Sequence, residues 1–161
     1  MTISQHIHPP TTPERTLRLI LGDQLNPQHR WFTDVDPATT YVLMEVRQET
    51  DYVLHHAQKI LAIFAAMRDL SRHLRALGHA VHYLAIDDPD NLQSVPANID
   101  ALCARYQATA FEYQAPDEWR LDEQLYRHGR QAAIPWTMVD TDHFLPRATK
   151  PRTSSATASS G

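Results

Sequence analysis

The apolar run Leu17, Arg18, Leu19, Ile20 and Leu21 ends abruptly in Gly22, Asp23 and Gln24. A carboxylate and an amide at the carboxyl end of a buried strand are placed to bind a small molecule, because open α/β sheets take their ligands just outside those ends. Glu45 and Glu49 follow the next apolar run, and adjacent strands would bring both acidic groups to one crevice. Tyr52, His56, Lys59 and Ile63 come next at spacings of four, three and four, so one stripe of a helix can wall that crevice with stacking and hydrogen-bonding groups. Asp is also an ordinary turn residue, so simple turn capping by Asp23 and Glu49 is the competing assignment.

The ligand class is narrowed by what the chain lacks. It has only four Gly, with neither GxGxxG nor GxxxxGK, which argues against a phosphate cradle. Carboxylates repel pyrophosphate but accept hydrogen bonds from hydroxyls and ring N–H groups, so a neutral heterocycle with a polyol chain suits the crevice. Ten His invite a metal site, yet adjacent His55 and His56 diverge by about 100° on a helix, and Asp51 with His55 reads as helix support. No metal is expected. The lone Cys103 permits no internal disulfide or thiolate cluster and reads as core, which fits a reducing cytoplasm. No GxSxG nucleophile elbow occurs. In Asp117, Glu118, Trp119 and Arg120 the acids suit a helix start, and Trp119 either faces a pocket or fills the core, the core being favoured.

The elements that must position these groups alternate. Strands are expected at 17–21, 40–46, 80–86, 108–113 and 134–139. A long amphipathic helix is expected from Asp51 to Leu77, with Thr50 as N-cap and Gly78 just past its end. Shorter helices are expected at 97–106, its start delayed by Pro96, and at 117–131. The alternation implies a Rossmann-like five-stranded parallel sheet with right-handed crossovers and helices on both faces. The length of 161 residues suits one domain, placed at 16–145, with a flexible leader over 1–15 and a disordered Ser/Thr-rich tail over 146–161. A net charge of −4 without a basic run predicts no strong nucleic-acid binding by the chain alone, and no stretch reads as a secretory signal or membrane span.

The motifs LRLILGDQL (17–25), EVRQETDYVLHH (45–56), KILAIFAAMR (59–68), YLAIDD (83–88) and DEWR (117–120) together resemble the iron-sulfur bacterial cryptochromes and photolyases, the deoxyribodipyrimidine photolyase-related proteins. The resemblance spans about Leu17 to Leu145 and covers that family's N-terminal α/β domain. It implies a holder for a light-harvesting antenna, 6,7-dimethyl-8-ribityllumazine, itself a heterocycle with a polyol chain. By resemblance the pocket maps onto Gly22, Asp23, Gln24, Met44, Glu49, Tyr52 and Ile63, with the polar members on ribityl hydroxyls or ring edge and Met44, Tyr52 and Ile63 packing the ring.

The resemblance implies a further helical domain that binds FAD, carries the cluster cysteines and accepts the DNA lesion, and the expectation is that this sequence, read as truncated, does not include it. The expectation is therefore an antenna domain that does not repair DNA alone. The alternative is a stand-alone interaction module, or a decayed fragment without ligand, in which a surface meant for the other domain promotes self-association.

Overall fold

The computed structural model of the chain describes residues 12–47 and 57–139. Five strands, β1 (Thr16–Leu19), β2 (Thr39–Met44), β3 (Ala80–Leu84), β4 (Ala110–Gln114) and β5 (Trp136–Val139), form one sheet in the order β3-β2-β1-β4-β5. Every pairing is parallel, as in Leu17 beside Thr40 on one side and Phe111 on the other. The expected α/β Rossmann-like fold is thus the fold observed. Chain order runs outward from β1 to β3, then crosses over to β4, so the direction of winding reverses between β1 and β4.

Among the described residues three helices are bounded, α1 (Ala57–Ala76), α2 (Val95–Tyr106) and α3 (Trp119–Gly129). Residue alternation along the strands divides the core into two layers. Leu17, Leu19, Val42, Met44, Phe111 and Tyr113 pack with Ile99 and Leu102 of α2 and Leu125 of α3. Ile20, Tyr41 and Leu43 pack on the other face with Phe64, Met67, Leu70 and Leu74 of α1. The helices therefore cover both faces, unequally. The β1–β2 connection contains only a short 3-10 turn (Arg30–Phe32), capped by His29 Nδ1, which accepts the Trp31 N–H at 3.1 Å. Beside this turn the β1–β4 half of the α1 face carries an ion pair, Arg18 Nε to Glu112 Oε2 at 2.7 Å, with the guanidinium 5.1 Å from the Trp31 ring centre.

Several boundaries depart from expectation for local reasons. α2 begins at Val95, because Ser94 caps the Ala97 N–H at 3.4 Å and Pro96 lies in the first turn, where a missing N–H costs nothing. α1 ends at Ala76, and Gly78 takes φ +97° just beyond, while His79 N–H closes on Leu74 O at 3.0 Å. Arg15, placed in the flexible leader, is tied to β4's approach: its N–H donates to Thr109 Oγ1 at 3.0 Å, and its carbonyl accepts from Thr109 N at 2.8 Å. Thr50, Asp51, His55 and His56, most of the leader, and the tail lie outside the described residues.

Candidate functional site

A cleft of about 480 Å³ opens where the winding reverses, beyond the ends of β1 and β4. Its walls are the turn after β1, from Gly22 to Asn26, with His29 on one side and Gln114, Ala115 and Asp117 on the other. It exists because no helix from the β1–β2 connection closes this part of the sheet. Its size lies within the range of small-molecule sites.

Gln24 fastens the two walls together. Its Oε1 accepts the Leu21 N–H at 3.2 Å, and its Nε2 donates to the carbonyls of Gln114 at 3.4 Å and Ala115 at 3.2 Å. Asp23 accepts the Asp117 N–H through Oδ2 at 3.1 Å. That leaves its second oxygen and the Asp117 carboxylate at the rim as acceptors. Gly22 stands against α1: a Cβ added there would lie 2.7 Å from Ile63 Cγ2 and 3.6 Å from Met67 Sδ. Only a residue without a side chain allows the turn and helix to approach this closely.

The expected site residues are only partly assembled here. Gly22, Asp23 and Gln24 line the cleft, and Ile63 backs Gly22. Met44 is buried in the opposite core layer, 3.5 Å from Asn98 Nδ2. Glu49 and Tyr52 lie outside the described residues. Glu45 is not a free crevice acid. It is 0% exposed and accepts from Arg68 Nε at 2.7 Å, Arg68 NH2 at 2.9 Å, Tyr83 OH at 2.5 Å and Ile86 N at 3.0 Å. Burial pushes its carboxyl upward, but these donors outweigh burial and hold it below the ordinary value, while the same contact raises Arg68.

Trp119 corrects another expectation. It is 67% exposed at the first position of α3, with the Arg120 guanidinium 5.8 Å from its ring centre, because Leu125 is the helix's buried contact. Cys103 is half-buried against the core, and burial, with a smaller contribution from Asp100, pushes its thiol up to about 11. Among the described residues no helix is long and apolar enough to cross a membrane.

Residues 18–158 match the family model described as deoxyribodipyrimidine photo-lyase-related protein. The chain belongs to that family. This photolyase-related chain is also 39% identical over 110 residues, 68% of its length, to a protein of Agrobacterium fabrum (strain C58) named (6-4) photolyase. The matched region spans 22% of that relative.

Several contributors to the photolyase-related chain's cleft escaped sequence reasoning, among them Asp117, which read only as a helix start. Gln114 closes a strand expected to end one residue earlier, and its importance comes from β4 lying beside β1, which strand spacing alone does not reveal. His29 was hidden in a connection read only as turns.

Proposed function

We propose that this domain holds a neutral heterocycle with a polyol chain, 6,7-dimethyl-8-ribityllumazine, as the light-harvesting antenna of a photolyase or cryptochrome. The observation that carries the reading is the cleft at the reversal of winding, rimmed by acceptor carboxylates and without a phosphate-cradling loop. The residues present fit the group: Asp23 and Asp117 offer acceptors to ribityl hydroxyls, and the volume suits a bicyclic ring. Glu49, Tyr52 and Ile63 are assigned to the site by resemblance, whereas the Met44 side chain packs in the opposite core layer.

When bound, the lumazine supplies light absorption and passes its excitation on. The protein's part is to fix the ring and keep out quenching water, and none of its side chains need move a proton. Gln24 contributes by locking the turn to β4, so that Asp23 is presented from a rigid wall. On this reading, repair by electron transfer from reduced FAD, and any iron-sulfur cluster, belong to a helical domain outside these 161 residues. The domain alone does not repair DNA and works in the cytoplasm.

Titration of the purified chain with the lumazine, followed by its fluorescence, is expected to give saturable binding. A folded chain that leaves the emission unchanged rejects the proposal.

A second reading, a stand-alone interaction module, is favoured by one observation. Trp119 and Tyr126, 67% and 59% exposed, are seven residues apart and lie along one ridge of α3. Sedimentation at several concentrations separates the readings: a monomer that binds lumazine supports the antenna, and an oligomer blind to it supports the module.

A further inference from the structure

The cleft is lined at the end of β4 by a mostly buried polar side chain whose amide the fold does not engage. Gln114 is only 3% exposed and lines the cleft at the end of β4. Its backbone carbonyl accepts from Gln24, yet among the described residues its side-chain amide has no hydrogen-bond partner. Its neighbours on the same half-sheet are satisfied: Glu112 is spent on Arg18, and the Gln24 amide is spent on Leu21, Gln114 and Ala115. An amide that makes no hydrogen bond to the protein and reaches a cleft keeps its donor and its acceptor for whatever the cleft holds.

A carboxamide presents a donor and an acceptor side by side in one plane. This pattern matches the edge of a heterocycle in which a ring N–H adjoins a ring carbonyl, as a side-chain amide matches a base edge in nucleic-acid recognition. The surrounding acids exclude a phosphorylated ligand and favour hydroxyls beside the ring.

We infer that Gln114 reads the ring-amide edge of the bound heterocycle and so selects ligands with an unsubstituted ring N–H. This rests on the ligand reading above and adds to it a specificity residue and an orientation: imide edge toward β4, polyol toward the Asp23 and Asp117 rim. Gln24 cannot serve, since both ends of its amide are engaged in holding the walls together.

The test uses the full 161-residue chain. Wild type, Gln114→Met and Gln114→Ala are titrated with 6,7-dimethyl-8-ribityllumazine and with its derivative methylated on the imide nitrogen, each variant first checked for native circular dichroism. Wild type is expected to prefer the parent compound by on the order of 10- to 100-fold. In the variants that preference falls toward one. Gln114→Met retains the bulk of the side chain, so a preference that persists in it is steric and overturns the inference. Wild type binding both compounds equally also overturns it, while leaving the ligand reading intact. Folded wild type that binds neither compound removes both.

Discussion

Arg68 meets Glu45 with two donors on two oxygens, Nε at 2.7 Å and NH2 at 2.9 Å, and so pins α1 to the carboxyl end of β2. The carboxylate is fully buried, whereas the arginine side chain is 47% exposed. Tyr83 and the Ile86 N–H supply further donors from the β3 side. Helix, inner strand and edge strand therefore converge on one charge. Removing Arg68 would leave that charge with neutral donors only. Arg68→Ala is expected to cost about 2 kcal/mol, less than for a pair buried at both ends because water screens the arginine. Urea unfolding measures it, and a loss below about 0.5 kcal/mol would show the pair to be incidental.

The same carboxyl sets an acid limit. Its folded pKa lies below the ordinary 4.5, so its stabilising contribution is fully present above the unfolded value and is lost as pH falls through the depressed one. Stability should be flat above about pH 5.5 and decline below. Asp36, lowered by the Ala38 N–H and Thr39 hydroxyl, acts with the same sign. Glu45→Gln should flatten part of the slope and leave the Asp36 part. An unchanged slope in urea midpoints measured from pH 3 to 7 refutes the assignment.

Gly22→Ala drives a methyl against Ile63 Cγ2 at 2.7 Å, an atom on the stiff branch of its side chain. A loss of about 1–3 kcal/mol is expected. Ile63→Val retains Cγ2 and should not relieve it, whereas Ile63→Ala should make the double variant less unstable than the sum of the singles. Strict additivity would mean that the backbone moves instead.

Cys103 should be inert in the native chain. With its thiol held up to about 11, almost no thiolate exists near neutrality. A disulfide-exchange reagent at pH 8 should therefore react on the order of 100-fold more slowly than with an unfolded chain. Rapid native labelling contradicts this.

Much of the architecture was legible because strands buried on both faces announce themselves as short apolar runs, and helical spacing marks α1 plainly. Strand order was not, since nothing local to Gln114 says that β4 lies against β1. Trp119 was misplaced because an aromatic residue at a helix start has the same periodicity whether it faces core or water. Glu45 was read as a free acid because its partner Arg68 is far along the chain, and only the packing of α1 joins them. The turn at 22–24 was legible as a site element, but not the use of Gln24 as a fastening, which depends on carbonyls at 114 and 115.

The central place of β1 has a consequence for synthesis. The strand made first is flanked by β2 on one side and by β4 on the other, and Arg15 closes on Thr109. A growing chain can pair β1 with β2 early, but its second edge stays bare until residues 110–114 emerge. Because such distant pairing is slow, the innermost strand is begun first and completed late, and the cleft between β1 and β4 is among the last features to form.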